Sequence, residues 1–400
     1  MQRTRNVRAG RDEPHASGDL LCFSHLRWGF VYQRPNHLMA RFARIRRVFF
    51  FEEPVFDAPG EPRLHVERVE DGLHVCVPHL PPHASGAGVL AAQRALLDEL
   101  ADAHALRPEV LWFYTPMALE LADGLHARRV VYDCMDELSA FAGAPPRLRE
   151  LERALFERAH IVFTGGHSLY ESKRRHHPRV HALPSSVEPE HYLRARVPQD
   201  DPPDQASIPH PRAGYFGVID ERLDLSLIEQ LADARPDLQL VFLGPIVKVD
   251  PNALPRRPNL HWLGMKKYEE LPSYLAGWDV ALMPFALNEA TRFISPTKTL
   301  EYLAAGLPVV STAIRDVVRP YGERGLVHVA DASTFAHAVD EARATDRARH
   351  RAAADAFVAR TSWDSTWNRM RELIEALDDV RERNAPQVSI GEDAARCSTT

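Results

Sequence analysis

The chain is poor in cysteine, with Cys22, Cys76, Cys134 and Cys397 the only four among 400 residues. None stand at C-x-x-C spacing, which excludes a zinc ribbon or a dithiol redox motif. Three of them sit beside apolar residues and read as small buried hydrophobes. With no disulfide framework, a reducing, cytoplasmic setting is the expectation. Long apolar runs are missing too. No stretch reaches about 18 apolar residues, so nothing here is expected to cross a membrane. The opening MQRTRNVRAGRDEPHASG is charged and has no apolar signal-peptide core, so residues 1–18 read as a loose tail. A G-x-x-x-x-G-K-[ST] loop is absent, which excludes a Walker-type triphosphatase. The 20 histidines, His176-His177 included, never fall at ligand spacing with carboxylates or thiols, and no metal is expected. Excess charge is also lacking. Lys and Arg number 49 against 55 Asp and Glu, a net charge of −6, so no global field draws in nucleic acid. Short basic runs, Lys173-Arg174-Arg175 and Lys266-Lys267, read as solvated faces.

What is present is an alternation of short apolar runs with amphipathic stretches. Strands are expected at Leu20–Ser24, Arg47–Phe51, Leu73–Val77, Val110–Tyr114, Val130–Asp133 and Ile161–Thr164, with helices such as Asn36–Ala43 and Ala87–Ala103 between them. That rhythm implies parallel βαβ units. Residues 198–212, with VPQDDPPDQASIPHPR around them, are proline-rich and aperiodic and read as a linker. Beyond it the alternation restarts at Ala213–Val218, Gln239–Leu243, Leu260–Leu263, Val280–Pro284, Pro308–Ser311 and Gly325–Val329. The fold class is therefore α/β with two facing Rossmann-like domains, 19–197 and 213–362, and a ligand cleft between them. A last helix over 363–380 carries Trp363, Trp367, Met370, Leu373 and Ile374 at helical spacing and needs a surface to cover that stripe. Residues 381–400 are polar and read as a disordered tail. The string GAGVLA at 86–91 imitates a dinucleotide fingerprint, but PHLPPHAS precedes it where a strand would be required. Gly165-Gly166 reads as a tight strand-to-helix turn.

The segment Ser295–Gly306, SPTKTLEYLAAG, carries the chemistry. Ser295 suits an N-cap and Pro296 the first helical position, Leu300, Leu303 and Ala304 form a buried stripe, and Gly306 suits a left-handed stop. The helix would start at the C-terminal edge of a parallel sheet, where its free N–H groups favour a diphosphate. Lys298 in the first turn has the wrong sign for that position unless an anion offsets it. Glu301 lies one turn on. Two readings stand at this point: an ion pair between them, or Lys298 on phosphate with Glu301 accepting from a ribose diol.

SPTKTLEYLAAGLPVVST resembles the donor-site signature of GT-B glycosyltransferases, especially retaining enzymes of the family 4 type (bacterial glycosyl transferases group 1). GYFGVIDERLD at 214–224, LVFLGPI at 240–246, LPSSVEPEHY at 183–192 and FSHLRWGFVYQRPNHLMARFA at 23–43 extend the likeness over most of the chain, and SWDSTW would open the helix that crosses back onto the first domain. The resemblance implies an EC 2.4 transferase that moves a sugar from a nucleotide-diphosphate donor to a hydroxyl acceptor in polysaccharide or glycoconjugate synthesis. It needs no cofactor beyond that substrate. Glu301 would hold the ribose, Arg222 the diphosphate, and Gly217, Gly244, Pro245, Ser295, Thr297 and Lys298 would complete the nucleotide-sugar site. Arg222, Lys298 and Asp136 would carry the catalysis, Asp136 standing near the acceptor hydroxyl, with helix capping as the other reading of that Asp. The signature also has a Glu upstream of the helix that usually touches the donor sugar. It falls at Phe293, so Asn288 or Glu289 would take its place. His25, Arg27, Trp28 and Asp133 would shape the acceptor side, and Arg34 could instead pair with Glu52-Glu53. No D-x-D occurs, so a metal-bridged diphosphate is not expected. The same shape also hosts nucleotide-sugar 2-epimerases, and a non-catalytic binding protein is the other alternative. Peripheral contact with the inner membrane face and the oligomeric state are left open.

Overall fold

A computed structural model describes residues 18–384. The first sheet contains β1 (Asp19–Ser24), β2 (Val48–Glu52), β3 (Arg63–Glu70), β4 (Leu73–His79), β5 (Pro108–Phe113), β6 (Arg129–Cys134), β7 (Ile161–Thr164) and β8 (Val180–Ala182) in the order β3-β4-β2-β1-β5-β6-β7-β8. All pairings are parallel except β3 with β4. β1, β2 and the body of β5 are buried on both faces, which is why they read as unbroken apolar runs. β3 was not expected. Its sequence RLHVERVE alternates exposed charges along an edge, a composition that blocks further strand pairing and hides the strand from a hydrophobic scan.

The second sheet is wholly parallel: β9 (Arg212–Phe216), β10 (Gln239–Leu243), β11 (Leu260–Trp262), β12 (Val280–Met283), β13 (Val309–Ser311) and β14 (His328–Val329), ordered β11-β10-β9-β12-β13-β14. In each sheet the first strand sits in the middle and the order reverses beside it, at β1/β5 and at β9/β12. Such reversals leave a crevice at the carboxyl ends of the strands.

The chain changes sheets twice. Leu183 packs on the first core and Val187 on the second, while Val358 lies in the second and Trp363 in the first. The Trp363 N–H donates to Val187 O at 3.2 Å, so the two crossings run side by side. The first crossing therefore precedes the expected boundary at 197. The helix Pro189–Leu193 already belongs to the second half through Tyr192.

The proline-rich segment is not a loose connector either. Ile208 is buried in the second core, Gln205 receives the Trp278 indole N–H at 2.9 Å, and Arg212 pairs with Asp201 at 2.7 Å. It serves as a strap under β9 and β12.

The final helix runs Trp363–Asn384, beyond the expected 380. Trp363, Met370, Ile374 and Leu377 cover the first core, and Trp363 stacks on His37 at 4.6 Å. Residues 381–384 thus extend a helix instead of beginning a tail. The remainder of the expected tails, 1–17 and 385–400, lies outside the described residues. Among the described residues no helix is long and apolar enough to cross a membrane.

Candidate functional site between the two sheets

The loops that leave β1 and β6 on one side, and β9, β10, β11 and β12 on the other, enclose a cleft of about 410 Å³. Its floor on the second sheet depends on two close approaches. Gly217 follows β9 with φ +134°, and a Cβ there would lie 2.2 Å from Cε of Lys298. Gly244 follows β10 with φ +145°, and its Cβ would lie 1.9 Å from the Gly217 carbonyl oxygen. Only glycine fits both the backbone angles and the space. The pair lets Lys298 lie flat over these strand ends, its Nζ 5.5 Å from the centre of the Tyr215 ring.

The helix behind the cleft is shorter than expected. It runs Lys298–Ala304 with Thr297 at its cap in helical backbone, so Ser295 and Pro296 line the cleft ahead of it and Ser295 is not the N-cap. Gly306 does adopt the left-handed stop, at φ +77°. Burial extends well past the expected stripe. Tyr302 is sealed inside and its hydroxyl accepts from the Phe216 N–H at 3.0 Å. Glu301 is only 8% exposed. Burial pushes the Glu301 carboxyl up to about 7, although Lys298 and the Tyr192 hydroxyl work against the shift. The same burial pulls Lys298 down to about 8 despite the neighbouring Glu301. No ion pair joins the two side chains, and both face the cleft. A site that desolvates both signs of charge without neutralising either is built for an anion and a hydrogen-bond donor from outside.

Arg222 reaches the cleft from the loop after β9, steadied by Asp220 through Nε at 2.9 Å and Nη2 at 2.6 Å and lying over the Phe141 ring. Opposite it, Asp136 enters from the loop after β6. Burial raises its carboxyl above the ordinary range, with Asp220 adding to the effect, while Arg222, Arg34 and Lys298 oppose it. The geometry therefore brings together Asp136, Trp28, Gly217, Arg222, Gly244, Pro245, Ser295, Thr297, Lys298 and Glu301.

Other expected site residues lie elsewhere. Asp133, expected on the acceptor side, is fully buried and holds Arg34 through contacts of 2.7, 3.0 and 3.1 Å. Arg34 is thus occupied by Asp133 and not by Glu52-Glu53. Arg27 instead takes Glu52 at 2.9 Å and braces the end of β2, whose Glu52 also accepts from the Trp28 N–H at 2.7 Å. His25 is half-buried and does not line the cleft, and burial drives its imidazole down to about 4. Asn288 and Glu289 do not line the cleft. Asn288 closes a turn with Thr291 at 3.0 Å, and the Glu289 side chain is 76% exposed beside Arg292. Phe293 turns away as well and packs against the first domain's core.

Several lining residues were not anticipated. Lys266, Lys267 and Tyr268 follow β11 at the same sheet edge as the glycines, and Gln33 and Asn36 face them from the first domain. Lys266 is no free solvated charge, since it pairs with Asp204 at 2.6 Å. Lys173, the other basic run, is buried between Glu137 at 2.8 Å and Glu152 at 2.7 Å.

Known proteins resemble this chain in its second half and in its fold. A family model of glycosyl transferases group 1 matches residues 213–344, the half that supplies Lys298, Glu301 and Arg222. TuaH of Bacillus subtilis (strain 168), assigned by name to teichuronic acid biosynthesis as a glycosyltransferase, is 29% identical over 238 residues, 54% of this chain. The chain spans 59% of the length of that curated relative. Among solved structures, sucrose-phosphate synthase from Thermosynechococcus elongatus aligns with a TM-score of 0.64 at 15% identity, over 91% of this chain and 100% of that one. The E. coli trehalose-6-phosphate protein bound with UDP-2-fluoro glucose gives 0.63 at 14% identity, over 89% and 99%. WaaG, a glycosyltransferase involved in lipopolysaccharide biosynthesis, gives 0.60 at 15% identity, over 89% and 99%. At such identities the structural likeness speaks for the fold.

Proposed function

We propose that this chain, whose residues 213–344 match the group 1 glycosyl transferases and whose fold is that of GT-B enzymes, is one of them and transfers a sugar from a nucleotide-diphosphate donor to an acceptor hydroxyl in bacterial glycoconjugate synthesis. The observation that carries the reading is the Lys298–Glu301 pair, with Glu301 buried and Lys298 half-buried, joined by no ion pair and open to the cleft. Glu301 accepts from the ribose diol. Lys298 and Arg222 take the two phosphates, the guanidinium suiting a pair of phosphate oxygens. As the glycosidic bond to the diphosphate breaks, charge builds on the leaving oxygen, and these fixed cations stabilise it without reorganising. No metal is needed in this scheme. Asp136 stands where the acceptor hydroxyl arrives. Its electrostatic neighbours are the same cations that hold the leaving group. In this reading the acceptor oxygen bonds to the anomeric carbon on the face the diphosphate leaves, its proton passes to the departing phosphate oxygen, and the configuration is retained.

The relative's name points to teichuronic acid biosynthesis as the setting. The UDP-sugar bound in a structural neighbour makes UDP-glucose the first donor to try. The test is incubation with UDP-, GDP- and dTDP-sugars, following release of the nucleotide diphosphate. Release that Glu301→Ala abolishes supports the transferase. An epimerised donor would assign the chain to isomerisation, and tight binding without turnover to a non-catalytic role.

A further inference from the structure

Among the contacts between the two domains, one is made by a buried carboxylate. Asp316, in the short helix Arg315–Val318 of the second domain, is 4% exposed. It accepts from the backbone N–H of Ser168 in the first domain at 3.1 and 3.3 Å, and from the Ser168 hydroxyl. Around it, Glu171 of the first domain pairs with Arg319 at 3.1 Å and with Arg315. The approach is tight. A Cβ on Gly166 would stand 2.4 Å from Oδ2 of Asp316 and 2.7 Å from Cβ of Ser295. One residue earlier, a Cβ on Gly165 would stand 2.6 Å from the Met135 carbonyl oxygen, and the Gly165 N–H donates to Cys134 O at 2.9 Å.

We infer that Asp316 is a positioning residue, a clasp that seats Gly165-Gly166 between the Met135-Asp136 loop and Ser295 and so sets the acceptor-side carboxylate against the donor-side cations. The chain of contacts is continuous. Asp316 fixes Ser168, Ser168 fixes Gly166 against Ser295, and Gly165 backs the residue just before Asp136. Asp316 touches no substrate. Its effect is to fix the spacing of two half-sites carried by separate domains, and small errors in such spacing reduce rate more than binding. The inference rests on the nucleotide-sugar reading of the cleft, but its contacts are independent of which sugar is carried.

The test compares wild type, Asp316→Asn, Ser168→Ala and the double variant. UDP affinity is measured by calorimetry, UDP-glucose hydrolysis by UDP release, domain separation by small-angle scattering, and folding by thermal melting. Because the proposed phosphate and ribose groups all sit on the second domain, UDP affinity is expected to stay within about twofold of wild type. Hydrolysis should fall by about tenfold in each single variant, the size expected for losing a buried hydrogen bond to a charged group. The double variant should be no worse than Asp316→Asn alone, since Ser168→Ala removes part of the same contact. The radius of gyration should increase in all three. Unchanged hydrolysis and unchanged scattering in Asp316→Asn would overturn the clasp, as would additive losses. If wild type neither binds UDP nor turns over UDP-glucose, the donor reading fails instead, and the scattering comparison still decides the clasp. Should Asp316→Asn melt at room temperature, Ser168→Ala, which keeps the backbone donor, carries the same comparison.

Discussion

Arg34 with Asp133 and Lys298 with Glu301 are both pairs of opposite charge drawn from water, one in each domain, the first wholly and the second with Lys298 half-buried, and they settle that cost differently. Burial works against the Arg34 charge, yet Asp133 holds it by two nitrogens, Leu183 O accepts from the third at 2.8 Å, and the guanidinium ends above its ordinary value. Lys298 and Glu301 make no such contact, and both are drawn toward their neutral forms. A buried pair with every donor and acceptor met is a brace. One with both charges left wanting is a vacancy in the electrostatics that a substrate can fill.

The contrast breaks first, and most visibly, at the brace. Asp133→Ala leaves the Arg34 guanidinium buried without its carboxylate and should cost about 3–5 kcal/mol of folding stability. Urea denaturation reads this directly. A loss under about 1 kcal/mol would mean water or another acceptor reaches Arg34, and the distinction between the pairs would lapse.

The opposite signature belongs to Glu301→Ala. Stability should change by less than about 1 kcal/mol, because the carboxyl that is removed was held at a cost. Affinity for UDP should fall by about tenfold to a hundredfold, the range for losing hydrogen bonds to a charged group. Calorimetry gives the second quantity and thermal melting the first. Equal damage to both would make Glu301 another brace.

The pH dependence of UDP binding sharpens the comparison without any substitution. Glu301 accepts from a ribose only as a carboxylate, which it loses as pH falls through about 7. Lys298 attracts phosphate only as an ammonium, which it loses as pH rises through about 8. Affinity should therefore peak between these values and decline on both sides, by about tenfold per pH unit once well past either one. In Glu301→Gln the acid limb should vanish and the alkaline limb remain. A wild-type profile flat from roughly pH 6 to 9 would place neither group on the nucleotide.

Much of the architecture was legible because buried parallel strands must be apolar on both faces, and FFF at 49–51 or LVFL at 240–243 can be little else. In the donor half, strand, polar loop and helix follow one another locally, so spacing put Lys298 and Glu301 at a helix start beside a strand end, while the glycines came only from the resemblance to the GT-B signature. Asp133 and Asp136 could not be told apart that way. They leave the same strand end, and what separates them is Arg34, which approaches Asp133 from 99 residues away. Residues 198–212 misled for the same cause, since their prolines speak of a linker while Gln205, Ile208 and Arg212 find partners only once β9 and β12 are in place. Burial by distant sequence is the part that composition does not carry.

The smallest expected effect concerns Glu289, a third kind of carboxylate. It stands in water, 3.6 Å from Arg292, neither braced nor desolvated. Exposed pairs of this sort contribute about 0–1 kcal/mol. Glu289→Ala should therefore shift stability by less than about 0.5 kcal/mol and UDP-glucose affinity by less than about twofold. The same holds for Asn288→Ala, whose side chain closes a turn outside the cleft. Calorimetry with UDP and with UDP-glucose in parallel makes the measurement specific, because a sugar contact would lower only the second. A drop of more than about fivefold for UDP-glucose alone would mean that the 286–293 loop folds inward over the sugar. Phe293, now packed on the first domain, would have to release for that to happen. The loop would then be a moving part of the site, and its present exposure the open half of that motion.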